Sequence, residues 1–223
     1  MTAHATGLII AAGSSVRMNG VDKIFAPLLG RPIISYSIQA MEDCLDINAI
    51  IVVVSPENLE KSDLLFKSEN WSKITSLVVG GKRRQDSVRM GLSKIHDSHW
   101  TVIHDGARPC ITPEIISHSL NHASVNGSAV AAVPVKDTIK IVDKSLNVTK
   151  TPDRQHLWAV QTPQVFETKA LQYAHEKVKE NVTDDASMME ALGEKVSVFQ
   201  SEYSNIKVTT KEDIRLLEIL MNG

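Results

Sequence analysis

The spacing of short apolar runs is the feature of this chain that most constrains its fold. Runs about as long as a β-strand, rich in valine and isoleucine, are separated by longer amphipathic stretches. Unbroken rather than alternating apolarity is typical of strands buried on both faces, as in a parallel sheet. We therefore predict strands at 8–12, 49–55, 74–79, 100–104 and 128–133.

The amphipathic stretches predict helices at 33–41, 58–66, 85–95 and 113–123. Thr112 before Pro113 is typical of an N-cap followed by proline in the first helical turn. Farther along, the segment 209–212 has the pattern of a capping box and predicts a last helix over 214–220. This strand–helix alternation indicates a doubly wound α/β layer, with a mostly parallel sheet flanked by helices.

Composition narrows the class of protein. The 24 basic and 26 acidic side chains leave a net charge of −2, so no global positive field favours nucleic acid or an acidic membrane as a partner. No apolar run approaches the roughly 20 residues that a membrane helix needs. Two cysteines and a start without a signal-peptide pattern favour a cytoplasmic protein. From the length of 223 residues we expect a single domain over 1–223.

The segment 136–158 breaks the alternation. It has the pattern of two polar strands around a turn at 144–147. An isolated hairpin is only marginally stable in water and needs a surface to pack on. We therefore expect a protruding arm that meets a second subunit. The alternative is a hairpin folded onto its own domain.

A glycine-containing loop follows the first predicted strand. Gly13, Ser14 and Ser15 let backbone N–H groups approach an anion, and the cations Arg17 and Lys23 come next. The glycine spacing of a dinucleotide fold and the Gly-Lys-Ser/Thr of a P-loop are both missing, which disfavours nicotinamide chemistry and P-loop hydrolysis. We interpret the loop as a polyphosphate site. The alternative for the two cations is solvated surface charge.

A second glycine turn, Gly80 and Gly81, lies between a predicted strand and a predicted helix. Three cations follow it at 82–84. Cations oppose the dipole of a helix start, and this mismatch indicates a bound anion. The alternative is a solvated helix start for which Asp86 or Ser87 supplies the cap.

The third motif, 104–109, comes at the end of the strand predicted at 100–104. Ligands of open α/β sheets bind beyond the carboxyl ends of the strands. Asp105 supplies the hard oxygen ligand that Mg²⁺ prefers, and the guanidinium of Arg108 fits a phosphate. The alternative is a purely structural aspartate–arginine turn.

Later motifs have structural alternatives as well. For Thr183, the alternative to a role in a binding site is that Thr183 or Asp184 caps a helix over 185–192. Lys207 precedes the last predicted helix and faces either an anion or water.

In order along the chain, these motifs resemble those of the 2-C-methyl-D-erythritol 4-phosphate cytidylyltransferases of the non-mevalonate isoprenoid pathway. The matching segments span nearly the whole chain and are 11–18 with Lys23, 80–88, 104–109, 135–138, Arg154, 161–164, 183–187 and 205–209. Each segment alone is weakly specific, whereas the ordered set is strongly specific. The resemblance implies a nucleotidyltransferase-type, Rossmann-like α/β domain that transfers a cytidylyl group from CTP to the polyol phosphate and releases pyrophosphate. It also implies a homodimer in which the arms at 136–158 interlock.

The resemblance further implies roles for individual residues. Arg17 and Lys23 are the expected catalytic pair, which grips the triphosphate, and Asp105 is the carboxylate expected to bind Mg²⁺. The nucleotide pocket is expected to consist of Ala12, Gly13, Ser14, Ser15, Gly80, Gly81, Lys82, Ser87, Asp105 and Gly106. The polyol phosphate is expected to contact Arg108, Thr162, Thr183 and Lys207, together with the partner's Thr138 and the partner's Arg154.

Two other functions stay open from the sequence. A cytidylyltransferase that acts on D-ribitol 5-phosphate shares several of these motifs. A nucleotide-binding protein without catalysis keeps the fold, but it is expected to lack Arg17, Lys23 or Asp105, and all three are present.

Overall fold

The computed structural model describes residues 4–13 and 22–222. Its strands in chain order are β1 (Ala5–Ala11), β2 (Pro27–Leu28), β3 (Arg31–Pro32), β4 (Ile47–Val54), β5 (Ile74–Val79), β6 (Trp100–Asp105), β7 (Ser128–Pro134), β8 (Ile141–Val142), β9 (Val148–Lys150), β10 (Trp158–Glu167) and β11 (Val198–Gln200). Its α-helices are α1 (Ile33–Asp43), α2 (Leu59–Glu69), α3 (Arg84–Leu92), α4 (Pro113–Asn126), α5 (Thr168–Lys177), α6 (Asp185–Ala191) and α7 (Lys211–Asn222). Within the described residues, no helix combines the length and apolarity needed to cross a bilayer.

A seven-stranded sheet forms the centre, in the order β11-β7-β10-β6-β1-β4-β5. Strand β10 pairs antiparallel with both of its neighbours, and the other pairs are parallel. The mostly parallel α/β sheet predicted from the apolar runs is confirmed.

The side chains of β1 pack on both faces of the sheet, which explains why consecutive residues of this strand are apolar. Ile9 packs into a core on one face of the sheet, with residues of α1 and α4. Leu8 and Ile10 pack into a core on the other face, with residues of α3, α5 and α6. Both faces are therefore buried, as expected for a strand inside a doubly wound sheet.

A third, smaller core lies beside the carboxyl end of β6. It joins α7, through Leu217, to the β2–β3 hairpin, through Leu28, and to Ala107. This packing fixes the turn that follows Asp105 against the last helix.

The start of α7 differs by one residue from the predicted capping box. Asp213, rather than Glu212, accepts the backbone N–H groups of Thr209 and Thr210, at 2.7 and 2.8 Å. The helix begins at Lys211, so Asp213 is its third residue, the position from which an acidic side chain reaches back to the N-cap.

The segment 136–158 contains a hairpin of β8 and β9, which form a sheet of their own. Asp143 closes the turn by accepting backbone N–H groups of Ser145 and Asn147, each at 2.9 Å. Every residue of β8 and β9 is exposed, including Ile141 and Val148. The predicted hairpin is thus present, and it does not pack onto the core of its own chain.

Candidate active site

Four neighbouring parallel strands end at one cleft of about 1010 Å³. Its lining includes residues 11–13 at the end of β1, 55–58 after β4, 80–84 after β5, and Asp105, the last residue of β6. These strands are adjacent in the sheet, so their carboxyl ends meet. Open α/β sheets bind their ligands at this edge.

Backbone atoms form the floor of the cleft. The loop after β1 and the loop after β5 are packed so closely that no side chain fits between them. A Cβ atom on Gly80 would lie 2.3 Å from Cβ of Ala12 and 2.7 Å from Oγ of Ser87. Gly81 donates its backbone N–H to that same hydroxyl at 3.1 Å. Above Gly13, by contrast, a Cβ would meet no atom of the described residues within 4 Å. A ligand can therefore approach the backbone of both loops.

The walls of the cleft carry an excess of positive charge. Its described cationic side chains are Lys23, Lys61, Lys82, Arg83, Arg84 and Lys207. Its described acidic side chains are Asp22, Glu57 and Asp105. A concave surface with this balance attracts anions.

Asp105 lies at the centre of the charged cluster. Its Oδ2 is 2.6 Å from Nζ of Lys207 and 3.9 Å from Nε of Arg108, and its Oδ1 is 3.5 Å from Nε of Arg84. Burial raises the pKa of this carboxyl group, but the charges of Arg84, Lys207 and Arg108 outweigh that effect and hold the pKa far below its usual range. The carboxylate is therefore ionised throughout the neutral range.

A buried chain of hydrogen bonds supports Asp105 from behind. The hydroxyl of Thr162 accepts the backbone N–H of Asp105 at 3.0 Å and lies 3.0 Å from Nδ1 of His104. Nε2 of His104 lies 3.1 Å from the carbonyl oxygen of Arg108 and must donate, because a carbonyl only accepts. Burial, the largest influence, lowers the pKa of His104 to about 4. The ring is thus neutral, and Thr162 donates to Nδ1.

The segment around Asn205 ties the phosphate-binding candidates to β10. Nη1 of Arg108 donates to the carbonyl of Asn205 at 2.7 Å. The amide of Asn205 in turn donates to the carbonyl of Thr162 at 2.8 Å and to the side chain of Gln161 at 3.2 Å. The 161–164 motif therefore joins the 205–207 segment to the end of β6.

Asp105 is also the acidic group best placed for a divalent cation. Among the described residues, no cluster of three or more His, Cys, Asp or Glu side chains is close enough to enclose a metal ion. A cation bound here would take one carboxylate and complete its shell with water and phosphate oxygens. Mg²⁺ binds in this way in many phosphoryl-transfer sites, so the donor set fits that ion.

The structure brings half of the predicted site residues together. Those that line the cleft are Ala12, Gly13, Lys23, Gly80, Gly81, Lys82, Ser87, Asp105 and Lys207. Gly106, Arg108 and Thr162 lie next to this lining. Gly106 donates its backbone N–H to the carbonyl of Ile10 in β1 at 2.9 Å, whereas Arg108 and Thr162 contact Asp105.

Three of the other predicted site residues are described and do not line the cleft, and three lie outside the described residues. Thr183 is exposed just before α6, where Asp184 rather than Thr183 supplies the helix cap, to the N–H of Ser187. Thr138 and Arg154 are exposed on the arm segment. Ser14, Ser15 and Arg17 lie outside the described residues.

Sequence reasoning missed one wall of the cleft, the segment 55–58 together with Lys61. Asn58 is buried there and donates from its side chain to Asp22, which neighbours Lys23. A signal for this wall was present, because the segment starts at the last residue of the strand predicted at 49–55, whose carboxyl end must face the same edge as the others.

Comparisons with known proteins agree with this geometry. The model of the IspD family, 2-C-methyl-D-erythritol 4-phosphate cytidylyltransferase, matches residues 6–223. The enzyme of that name from Dehalococcoides mccartyi strain 195 is 45% identical over 96% of this chain and 94% of its own. The one from Caldanaerobacter subterraneus is 41% identical over 98% and 99%. The crystal structure of 4-diphosphocytidyl-2C-methyl-D-erythritol synthase from Anaerococcus prevotii superposes with a TM-score of 0.89 at 29% identity, over 100% of this chain and 97% of that one. The chain belongs to the 2-C-methyl-D-erythritol 4-phosphate cytidylyltransferase family.

Proposed function

We propose that the cleft binds CTP and 2-C-methyl-D-erythritol 4-phosphate together, within one nucleotidyltransferase domain. The reaction of the family joins them into 4-diphosphocytidyl-2-C-methyl-D-erythritol and releases pyrophosphate. The observation that supports this assignment best is the gathering of cations around Asp105 at the shared carboxyl edge of the sheet. Two phosphate-bearing substrates repel each other unless such charges surround them.

The chemistry requires one bond to form and one to break. An oxygen of the polyol phosphate attacks the α-phosphorus of CTP, and the bond from that phosphorus to the oxygen that bridges it to the β-phosphate breaks. This nucleophile is already an anion near neutral pH, so it needs little help from a general base. Positioning in line and stabilisation of charge therefore account for most of the catalysis, as in other phosphoryl-type transfers.

The nucleotide is assigned to the side of the cleft formed by the glycine turns. Backbone groups of Ala12, Gly13, Gly80 and Gly81 form the surface on which cytosine and ribose rest. Lys23, with Arg17, neutralises the triphosphate and the charge that grows on the α-phosphate in the transition state.

The polyol phosphate is assigned to the side of Asp105 where Lys207 and Arg108 lie. Lys207 is 36% exposed and Arg108 11%, so the lysine is the group that reaches substrate directly. A divalent cation at Asp105 would act as a Lewis acid toward the phosphates. The chain's own contribution is to keep that carboxylate ionised and to hold the backbone N–H of Asp105 through the hydroxyl of Thr162.

The arm is assigned to a homodimer. Its exposed apolar side chains include Ile141, Val142, Leu146 and Val148, which is 57% exposed. Contiguous exposed apolar groups mark an interaction surface. A second copy placed there would bring the partner's Thr138 and the partner's Arg154 toward this cleft.

We also assign the reaction to the cytoplasm. Cys44 and Cys110 are free thiols, which suits a reducing compartment. Cell fractionation with an antibody against the chain would test this assignment.

The test of function is a substrate matrix. Each of the four nucleoside triphosphates is paired with 2-C-methyl-D-erythritol 4-phosphate or D-ribitol 5-phosphate, and pyrophosphate release is measured with and without Mg²⁺. We expect turnover only with CTP, the methylerythritol substrate and the metal ion. Preference for ribitol phosphate, or binding of CTP with no pyrophosphate from any pair, would contradict the assignment.

A further inference from the structure

A buried carboxylate outside the cleft lining contacts Arg84, and a buried histidine contacts that carboxylate. Nη1 of Arg84 lies 2.6 Å from Oδ2 of Asp185, whereas its Nε lies 3.5 Å from Oδ1 of Asp105. Asp185 is the first residue of α6 and only 1% exposed. Its second oxygen, Oδ1, is 3.0 Å from Nε2 of His175 on α5, and that side chain is also 1% exposed. A carboxylate can only accept, so the imidazole donates from Nε2.

Opposite charges keep Arg84 and Asp185 ionised although both side chains are largely buried. Burial raises the pKa of Asp185, but the nearby guanidinium of Arg84 outweighs that effect and leaves the pKa below its usual range. Burial likewise lowers the pKa of Arg84. The negative charges of Asp185 and, second, of Asp105 outweigh that effect, so the pKa of Arg84 lies above its usual value. Both partners are therefore ionised, and hydrogen bonds between ionised groups are the short and strong ones.

The guanidinium of Arg84 still has N–H groups that can donate to a ligand in the cleft. About 25% of the Arg84 side chain is exposed, and the residue lines the cleft. Its contacts with the two aspartates use Nη1 and Nε, so neither ion pair occupies the two N–H groups of Nη2. Because the contact with Asp185 is the shorter one, Arg84 is shared between two carboxylates instead of closing fully onto Asp105.

We propose that Asp185 and His175 are positioning residues for the transfer reaction, and that they aim Arg84 at a phosphate oxygen of the bound nucleotide. The inference rests on the proposed function, because it assigns the triphosphate of CTP to this cleft. Without Asp185, Asp105 is the described carboxylate that Arg84 still reaches. The guanidinium then closes the 3.5 Å gap and turns away from the nucleotide.

The experiment measures the Kd of CTP by titration calorimetry, and KM and kcat for both substrates. Asp185→Asn keeps the size of the side chain and removes its charge. We expect it to raise the Kd and KM of CTP about tenfold or more, the value of one charge-assisted hydrogen bond, and to leave the KM of the polyol phosphate within about twofold. Asp185→Glu restores the charge and should recover part of the affinity.

His175 is tested by a matched pair of variants. His175→Gln retains an N–H donor for Asp185 and should bind CTP nearly as the wild type does. His175→Leu removes the donor and should weaken CTP binding in the same direction as Asp185→Asn. This pair also keeps the proposal testable if Asp185→Asn does not fold.

A double-variant cycle decides whether the effect passes through Arg84. In the Arg84→Met background, Asp185→Asn should not change CTP affinity further. Equal losses in both backgrounds would overturn the proposal, as would wild-type CTP affinity in Asp185→Asn with only a lower Tm.

A stability control comes from a buried polar contact outside the charged cluster. Thr168→Val removes the hydroxyl pair with Thr101, 2.9 Å apart, and should lower Tm without changing CTP affinity. If the wild type bound CTP but released no pyrophosphate, the proposed function would fail, while the CTP titrations would still decide the role of Asp185.

Discussion

At the scale of single residues, Lys23 carries the sharpest prediction about chemistry. Lys23→Ala should lower kcat by about 10²–10³, the usual loss for one preorganised donor to a developing charge, with a smaller change in the Kd of CTP. Rapid-quench turnover and CTP titration measure the two quantities separately. The control is Lys94→Ala, which removes an exposed lysine outside the cleft lining. Wild-type turnover in Lys23→Ala would refute a catalytic role for this side chain.

Thr162 carries a prediction about stability. Thr162→Val leaves the buried N–H of Asp105 and Nδ1 of His104 without their partner. One such unsatisfied group costs about 1–3 kcal/mol, so the free energy of unfolding should fall by at least that amount. Urea denaturation followed by circular dichroism measures it. Thr162→Ser keeps the hydroxyl and should stay close to wild type; an equal loss in both variants would show that the methyl group matters instead.

The site could be predicted from sequence wherever a motif directly follows a strand. Gly80, Gly81 and Asp105 were found because the segments 74–79 and 100–104 are short runs rich in apolar residues, and the carboxyl ends of the strands they form had to meet. Asp185 and His175 could not be found in that way. They act through Arg84 across separate helices, and no local spacing reveals a contact between residues so far apart along the chain.

At the scale of secondary structure, local sequence patterns also explain which elements could not be predicted. The strands predicted from apolar runs match the structure to within two residues at each end, except that β1 begins three residues before its predicted start. Strand β10 was not, because Pro163 interrupts its pattern, and a proline argues against a central strand. The structure accommodates the proline where the pairing of β10 with β7 shifts register, between Val160 and Gln164. The neighbouring helix α5 was not predicted either.

The cap of α7 gives a prediction that depends on pH. Burial raises the pKa of Asp213, but hydrogen bonds from Thr209 and Thr210 outweigh that effect and hold the pKa below its usual value. A carboxyl group whose pKa is lower in the folded state stabilises the fold above its unfolded pKa and loses that contribution as the pH falls through its folded pKa. Asp213→Asn should therefore cost about 0.5–2 kcal/mol at pH 7 and much less near pH 3.

Thermal unfolding across that pH range measures the difference between Asp213→Asn and wild type. Glu218→Gln removes an exposed acid from the same helix and serves as the control. A difference that stayed constant from pH 7 to pH 3 would contradict the role of the carboxylate.

At the scale of the whole molecule, the proposed dimer predicts complementation between inactive subunits. In a mixed dimer of Lys23→Ala and Arg154→Ala, one site carries both defects and the other carries neither. Half of the dimers are mixed after random exchange, so about a quarter of wild-type activity should return. Pyrophosphate release after subunit exchange, verified by mass spectrometry, measures the recovery.

The control mixes Lys23→Ala with Lys207→Ala. Both side chains line the cleft of one chain, so each site of the mixed dimer keeps one defect and no activity should return. No recovery in the Arg154 mixture would show that Arg154 does not act across the dimer, and recovery in this control would show that Lys23 and Lys207 serve different sites.

One strand links the arm to the site. Strand β10 begins with exposed residues next to the arm segment, and a few residues later Thr162 lies beneath Asp105. An insertion between 158 and 164 would shift every later side chain of β10 relative to β6, whereas an insertion in the exposed turn at 143–147 would only lengthen a loop tip. We therefore expect this enzyme to tolerate insertions and deletions in the turn of the hairpin and not in strand β10, which connects the hairpin to the site.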